Sequence, residues 1–277
     1  AGYVISKEDL DDRYIRWQFH AKSNNIMRNK DFYWQALPVS KDAYTEKFSF
    51  VKDQIQRGNS FLTNLTQPTR ISTNLGLAEI YDVASAPYKL WLKDLFVVLS
   101  PETFIQIRQG EIRTFPMKGT IDAALPDAKK TILQDEKEMA EHATIVDLLR
   151  NDLSMVAEDV HVSRYRYVER INTMQHDLLQ VSSEIVGRLP DNYRGQLGDI
   201  LFTLLPAGSI CGAPKAKTLE IIKEVEGYDR GFYTGVCGYF DGENLDSAVM
   251  IRFVEQTDGG LVYKSGGGIT FQSESDK

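Results

Sequence analysis

Two glutamates and a histidine in the segment QDEKEMAEHATIVDLLRNDL have types and a spacing that could bind a metal ion. Glu138 and Glu141 are three residues apart, so a helix would place both carboxylates on one face, next to His142. Carboxylate oxygens are the ligands that hard cations such as Mg2+ prefer. A solvated acidic face is the more common outcome of this spacing. The order E-x-x-E-H also differs from H-E-x-x-H, so a zinc protease site is not indicated.

A lysine and a glutamate near predicted strand ends could carry covalent or acid-base chemistry. Lys118, in FPMKGT, follows a predicted strand and precedes Gly119. A lysine acts as a nucleophile only after it loses its proton, which requires a dry or cation-rich pocket, and most lysines at strand ends are merely solvated. Glu102, in SPETF, could be a general acid or an ordinary turn carboxylate after Pro101. The residues alone leave both alternatives open.

Three further segments could bind an anion. The segment PAGSICGAPKAKTLEIIKEVE predicts a glycine-rich turn and a helix that starts at Pro214. Free amides at a helix start suit an anion, although the spacing is not that of a P-loop, and a purely structural turn is the alternative. Arg252, in SAVMIRFV, is predicted to share one strand face with apolar side chains, where a substrate carboxylate or an internal acid would serve as its partner. The run Gly266 to Gly268 predicts either close approach of a ligand to the backbone or a bulge.

The elements that must position these residues alternate between strands and helices. Residues 43–57 predict an amphipathic helix that buries Phe48, Val51 and Ile55, and residues 128–153 and 214–226 predict two more helices. Strands are predicted at residues 60–65, 95–99, 103–107, 111–115, 235–240, 247–254 and 261–264. This order favours an α+β fold with mainly antiparallel sheets, in a single domain over residues 1–277.

Composition excludes several classes of function. The net charge of −7 leaves no basic stripe for a nucleic-acid partner, and the longest apolar run, Leu95 to Leu99, is too short to cross a membrane. Cys211 and Cys237 are expected to be reduced thiols. The first residues lack the pattern of a secretory signal, so a cytoplasmic location is expected.

Eight segments, taken in order, resemble the chorismate-utilising enzymes, a family that includes component I of anthranilate synthase and of aminodeoxychorismate synthase, and the isochorismate and salicylate synthases. The segments are GNSFLTNLTQPT, SPETF, RTFPMKGT, EMAEHATIVDLLRNDL, PAGSICGAPKAKTLEII, TGVCGYFDG, SAVMIRF and SGGGI. The resemblance covers about residues 43–277, and residues 1–42 are only weakly assigned. It implies an α+β fold of two stacked, mainly antiparallel β-sheets with helices on the outside.

The same resemblance implies a substrate and its ligands. Glu141, with Glu138 beside it, is similar to half of a Mg2+ site that binds the ring carboxylate of chorismate. The other half is expected in glutamates beyond Lys277, so the C-terminus is expected to be truncated and Mg2+ binding to be poor. The implied clamp for the enolpyruvyl carboxylate consists of Arg252 and the amides of Gly266, Gly267 and Gly268. Tyr239 and Ser209 are expected nearby in the pocket.

Position 118 separates the branches of the family. Anthranilate synthases have alanine in this motif, whereas the lysine here is similar to aminodeoxychorismate synthases. In that branch Lys118 would attack C2 of chorismate while Glu102 assists departure of the 4-hydroxyl, and ammonia would then enter at C4. Isochorismate synthases instead have a lysine base at the position of Leu62.

Ammonia would come from another protein. The run Gly235 to Tyr239, GVCGY, lacks the second glycine of a G-x-C-x-G nucleophile elbow, which predicts a separate glutamine amidotransferase subunit as partner. The alternatives are an anthranilate synthase component I and a non-catalytic regulatory protein that binds chorismate.

Overall fold

Two of the described α-helices begin at a residue whose side chain caps them. The computed structural model describes residues 4–20, 31–171 and 176–275. The helices are α1 (Lys41–Gln56), α2 (Leu77–Val83), α3 (Ala128–Gln134), α4 (Glu136–Ser154), α5 (Leu197–Leu204), α6 (Gly208–Cys211) and α7 (Lys215–Glu226), with 3-10 turns at Lys7–Asp9 and Tyr193–Gln196. The Ser40 hydroxyl accepts a hydrogen bond from the Ala43 amide at the start of α1, and the Asp135 carboxylate caps α4 in the same way.

The strands build two sheets. They are β1 (Ile15–Phe19), β2 (Trp34–Leu37), β3 (Leu62–Thr73), β4 (Tyr88–Leu92), β5 (Phe96–Ser100), β6 (Thr103–Arg108), β7 (Glu111–Thr114), β8 (Met117–Asp122), β9 (Glu158–Ile171), β10 (Leu178–Arg188), β11 (Gly212–Ala213), β12 (Val236–Phe240), β13 (Leu245–Val249), β14 (Phe253–Thr257) and β15 (Gly260–Thr270). Within the described residues, one sheet has eight strands in the order β1-β4-β5-β14-β15-β3-β11, with β2 beside β3. The other has seven in the order β12-β13-β6-β7-β10-β8, with β9 beside β10.

All the strand pairs described are antiparallel, and the sheets meet through apolar side chains. Phe96 and Phe253 of the eight-stranded sheet pack in one buried cluster with Met250 and with Cys237 of the seven-stranded sheet. Other clusters join α4 and α5 to the seven-stranded sheet, and α1, α2 and α7 to the eight-stranded sheet. The α+β class and the two antiparallel sheets are confirmed. None of the described helices is both long and apolar enough to cross a membrane.

The prediction of one continuous strand over residues 247–254 is wrong. The chain leaves the seven-stranded sheet after β13 and enters the eight-stranded sheet at β14, and Arg252 between them has a φ of 53°. That φ lies in the left-handed region and breaks the two-residue alternation of a strand. Met250 is therefore buried while Arg252 is exposed, so the two do not share an apolar face.

Other boundaries differ more modestly from the sequence prediction. The single helix expected at residues 128–153 is two helices, α3 and α4, because Asp135 is extended (φ −67°, ψ 113°) and caps the second one. Pro214 precedes α7 as its N-cap instead of occupying its first turn. Residues 266–268 pair with β3 without any shift of register, which excludes the predicted bulge. The amphipathic helix α1 buries Phe48, Val51 and Ile55 as expected, and both cysteines are free.

Candidate functional site

A cavity of about 500 Å3 lies where β3, β8, α4 and the end of β15 meet. A volume of this size is typical of sites for small organic ligands. Half of the ten residues predicted for the site line it: Glu102, Lys118, Glu141, Ser209 and Gly268. They come from five separate segments, so only the tertiary fold brings them together.

Lys118 and Glu141 form an ion pair in the wall of this cavity. The Nζ atom of Lys118, on β8, lies 2.7 Å from Oε2 of Glu141, on α4. The Glu141 side chain is 11% exposed and the Lys118 side chain 34% exposed, so the amine is the more accessible partner. The Thr270 hydroxyl donates to the other Glu141 oxygen at 3.3 Å. Sequence reasoning did not identify Thr270, because nothing distinguishes a threonine at the end of a strand.

Glu138 lies one helical turn before Glu141 and faces the next residue of β8. A Cβ atom added to Gly119 would stand 2.9 Å from Glu138 Oε2, so the glycine makes room for this carboxylate. Glu138 Oε2 is buried and has no hydrogen-bond partner among the described residues. A buried carboxylate oxygen without a partner is costly, and a cation is one ligand that would satisfy it.

The described residues provide only part of a metal site. Within residues 4–20, 31–171 and 176–275, no group of three or more His, Cys, Asp or Glu side chains converges on one position. Glu138 and Glu141 nevertheless fit a Mg2+ ion, since this cation often takes one or two protein carboxylates and completes its shell with water and substrate oxygens.

His142 fixes the helix that carries both glutamates. Its side chain is fully buried, and its Nε2 lies 2.7 Å from the hydroxyl of Ser183 on β10. Ser183 also donates its amide to the carbonyl of Pro116, just before β8. Burial, with the nearby charge of Arg166, lowers the pKa of His142 to about 4, so the imidazole is neutral at pH 7. A neutral anchor of this kind sets the distance between α4 and β8.

Glu102 also lines the cavity, and its carboxyl is buried. Burial raises the pKa of its carboxyl, and a hydrogen bond from the Ser209 hydroxyl partly offsets that effect. Ser209 stands on the short helix α6, whose position follows from the pairing of Gly212 and Ala213 with Thr63 and Leu62 of β3. The acid and the hydroxyl predicted from separate motifs are therefore neighbours.

The glycines of β15 present the strand backbone at the cavity edge. A Cβ on Gly266 would stand 2.7 Å from the Leu65 carbonyl oxygen, so this glycine permits close packing against β3. Gly267 faces open space, and Gly268 lines the cavity. All three glycines are exposed, although they pair with β3.

The other five predicted site residues are not among the described residues that line the cavity: Glu138, Arg252, Tyr239, Gly266 and Gly267. The Tyr239 ring stacks on Trp17 of β1 with centroids 5.0 Å apart, and Arg252 is exposed at the crossover between the sheets. The role expected for each of them stays a prediction.

Comparison with known proteins agrees with this architecture. A protein of Pasteurella multocida, named only as an uncharacterized PabA-like protein, is 53% identical over 94% of this chain and 80% of its own length. Aminodeoxychorismate synthase component 1 of Klebsiella aerogenes is 34% identical over 87% of this chain, which spans about half (55%) of that enzyme. The crystal structure of anthranilate synthase component I from Streptococcus pneumoniae superposes with a TM-score of 0.75 at 25% identity, over 92% of this chain and 59% of that one.

The match to a protein family covers more of the chain than these relatives do. Residues 6–277 match the sequence model of the family described as chorismate binding enzyme. This match extends over every strand and helix that surrounds the cavity. The chain therefore belongs to the family of chorismate binding enzymes.

Proposed function

We propose that this chain is component I of an aminodeoxychorismate synthase, which converts chorismate and ammonia to 4-amino-4-deoxychorismate for the synthesis of para-aminobenzoate and folate. The observation that carries the proposal is the presence of Lys118, a potential nucleophile, in the wall of the cavity beside Glu141. Leu62, in the same wall, cannot activate water, which argues against an isochorismate synthase. The resemblance to enzymes with that name supports the same reaction.

The proposed reaction uses two side chains directly. The neutral amine of Lys118 forms a bond to C2 of chorismate, the ring double bonds shift, and the C4–O bond breaks. The proton of Glu102 goes to the departing hydroxyl, which leaves as water. Ammonia then bonds to C4, the double bonds shift back, and the C2–N bond to Lys118 breaks with return of a proton to Glu102.

Lys118 must lose its proton before it can attack. The amine pairs with the Glu141 carboxylate at 2.7 Å, so attack on the substrate requires this ion pair to open. The ion pair therefore describes the resting enzyme, and substrate binding has to disrupt it.

We also propose that Glu138 and Glu141 contribute to a Mg2+ site for the ring carboxylate of chorismate. When bound, the cation would neutralise charge at that carboxylate. Glu138→Gln is expected to lower Mg2+ affinity at least about tenfold, because an amide supplies a weaker oxygen ligand without charge. Isothermal titration calorimetry with Mg2+, in the presence of chorismate, measures the change.

A matched control comes from the same helix. Glu136→Gln changes an exposed glutamate in the first turn of α4 and should leave Mg2+ affinity unchanged. Equal Mg2+ affinity for Glu138→Gln and the unaltered protein would exclude Glu138 as a ligand.

The source of ammonia gives the direct test of the proposed reaction. We expect the purified chain to form aminodeoxychorismate from chorismate, Mg2+ and ammonium at alkaline pH, and to be inactive with glutamine alone. A separate glutamine amidotransferase subunit should restore activity with glutamine. Chromatography and mass spectrometry identify the product.

Each alternative gives a different result in that assay. Anthranilate as product would identify an anthranilate synthase, and chorismate binding without turnover would indicate a regulatory protein. Glutamine-dependent turnover without a partner would contradict the proposed need for a second subunit.

A further inference from the structure

The chain forms a turn at residues 270–273, at the end of β15, and this turn is part of the rim of the large cavity. Thr270, Phe271 and Gln272 line the cavity. Within the turn, the Ser273 amide donates to the Thr270 carbonyl at 3.2 Å, and the Thr270 amide donates to the Ser273 hydroxyl at 3.0 Å. These two bonds close the turn on itself, but they do not attach it to the rest of the protein.

Lys52, on α1, attaches the turn from the side of that helix. Its Nζ donates to the carbonyl oxygens of Thr270 at 3.2 Å and Ser273 at 2.9 Å, and also to that of Phe271. An ammonium group has three hydrogens, so each can serve one of these carbonyls. The Nζ also lies 5.5 Å from the centroid of the exposed Phe271 ring. One partly buried side chain therefore binds three of the four residues of the turn.

The carbonyl groups of the turn lie beyond the hydrogen-bond ladder of the sheet. β15 pairs with β3 as far as Thr270, which lies opposite Leu62. A charged donor binds a carbonyl oxygen more strongly than a neutral donor does. We therefore expect the turn to lose its fixed position when the charge and the donors of Lys52 are removed.

The opposite side of the turn contacts the proposed metal and substrate site. The Thr270 hydroxyl donates to Glu141 Oε1 at 3.3 Å, while Glu141 Oε2 pairs with Lys118 at 2.7 Å. When the ion pair with Lys118 opens, the hydrogen bond from Thr270 still holds the Glu141 carboxylate at the cavity wall. A displacement of the turn would therefore disturb Glu141 and the rim of the cavity together.

We propose that Lys52 is a positioning residue for substrate binding. It holds the turn at residues 270–273, and through Thr270 the Glu141 carboxylate, in the arrangement that receives chorismate. The inference rests on the proposed function only in that chorismate binds in this cavity. Lys52 is not among the described residues that line the cavity, so its loss should weaken substrate binding more than it slows the chemical step.

The test combines hydrogen exchange with substrate binding. Lys52→Met keeps most of the length of the side chain and removes its charge and its donors. Exchange of the Thr270 and Ser273 amides, followed by nuclear magnetic resonance, should accelerate by about tenfold. The affinity for chorismate, measured by calorimetry with Mg2+ and without ammonium, should fall by about tenfold. In turnover with ammonium, KM should rise by a larger factor than kcat falls.

Two control variants separate this role from general stability. A guanidinium supplies several donors, so Lys52→Arg should keep the affinity for chorismate within about threefold of the unaltered protein. Lys47, on the same helix, donates to Gln67 Oε1 at 3.0 Å and to the Glu226 carbonyl at 2.9 Å, and neither partner is among the described residues that line the cavity. Lys47→Met should therefore lower thermal stability and leave the affinity for chorismate unchanged.

A double variant tests whether Lys52 acts through Thr270. Thr270→Val removes the hydroxyl that donates to Glu141 and should also lower the affinity for chorismate. If both residues hold the same carboxylate, Lys52→Met combined with Thr270→Val should lose less affinity than the two single losses added together. Fully additive losses would contradict the proposed route through Thr270.

The outcomes distinguish this inference from the proposed function. Unchanged exchange in Lys52→Met would overturn the inference. Faster exchange with an unchanged affinity for chorismate, or an equal loss of affinity in Lys47→Met, would assign Lys52 a purely structural role and overturn it as well. Neither measurement depends on which product forms. Faster exchange and weaker binding in a protein that makes another product would therefore support the inference while the proposed reaction fails.

Discussion

Lys118→Arg is expected to lower the rate of aminodeoxychorismate formation by about a thousandfold or more, while chorismate still binds. Arginine keeps a positive charge beside Glu141, but a guanidinium is effectively never deprotonated in a protein and cannot form the bond to C2. Losses of this size are typical when a group that reacts covalently is removed. Initial rates with ammonium, combined with calorimetric binding of chorismate, separate the two effects.

Two further variants complete this experiment. Lys129→Arg, at an exposed lysine of α3, should keep the full rate. Lys118→Ala should lose aminodeoxychorismate formation as well, and should divert the protein toward the chemistry of the anthranilate branch, because ammonia or water could then reach C2. Near-normal aminodeoxychorismate formation by Lys118→Arg would show that the lysine only binds a carboxylate.

Gly212→Ala is expected to lower the free energy of unfolding by about 3 kcal/mol or more. The added Cβ would stand 1.8 Å from the carbonyl oxygen of Leu62, so the backbone itself would have to move. The φ of Gly212 is 125°, which residues with a side chain rarely adopt. Urea denaturation followed by circular dichroism measures the loss, provided that the slope of the transition is unchanged.

Gly227, at the other end of α7, provides a matched control. Its φ is 69°, but a Cβ there would meet no atom within 4 Å. Gly227→Ala should therefore cost only the strain of a left-handed alanine, roughly 1–2 kcal/mol. Equal losses for the two variants would mean that the close approach of α6 to β3 contributes nothing to stability.

Much of the fold follows from local patterns in the sequence. The spacing of Phe48, Val51 and Ile55 identifies the buried face of α1. Alternating or apolar runs identify β3, β5, β6, β7, β12 and β15, whereas β1, β2, β4, β8, β9, β10 and β11 were not predicted. The crossover at Arg252 could not be predicted in this way. SAVMIRFV alternates well enough for one strand, and only the arrangement of the two sheets requires the chain to turn there.

The candidate site was predictable in part for a different reason. Lys118, Glu102 and Glu141 are recognisable as residue types within motifs, and the structure places all three around one cavity. Thr270 was not recognisable, because its place at the site depends on a hydrogen bond to Glu141, 129 positions away.

The crossover between β13 and β14 has a mechanical consequence. Met250 still exchanges backbone hydrogen bonds with Gly235 and Thr234, while the carbonyl of Arg252 already accepts from Leu99 of the other sheet. Ile251 alone separates the two, and the chain can extend only roughly 7 Å over two residues. Facing sheets usually lie about 10 Å apart. The sheets must therefore lie closer together at this corner. The backbone limits the distance between them there, so the two layers can move apart only at positions away from the corner.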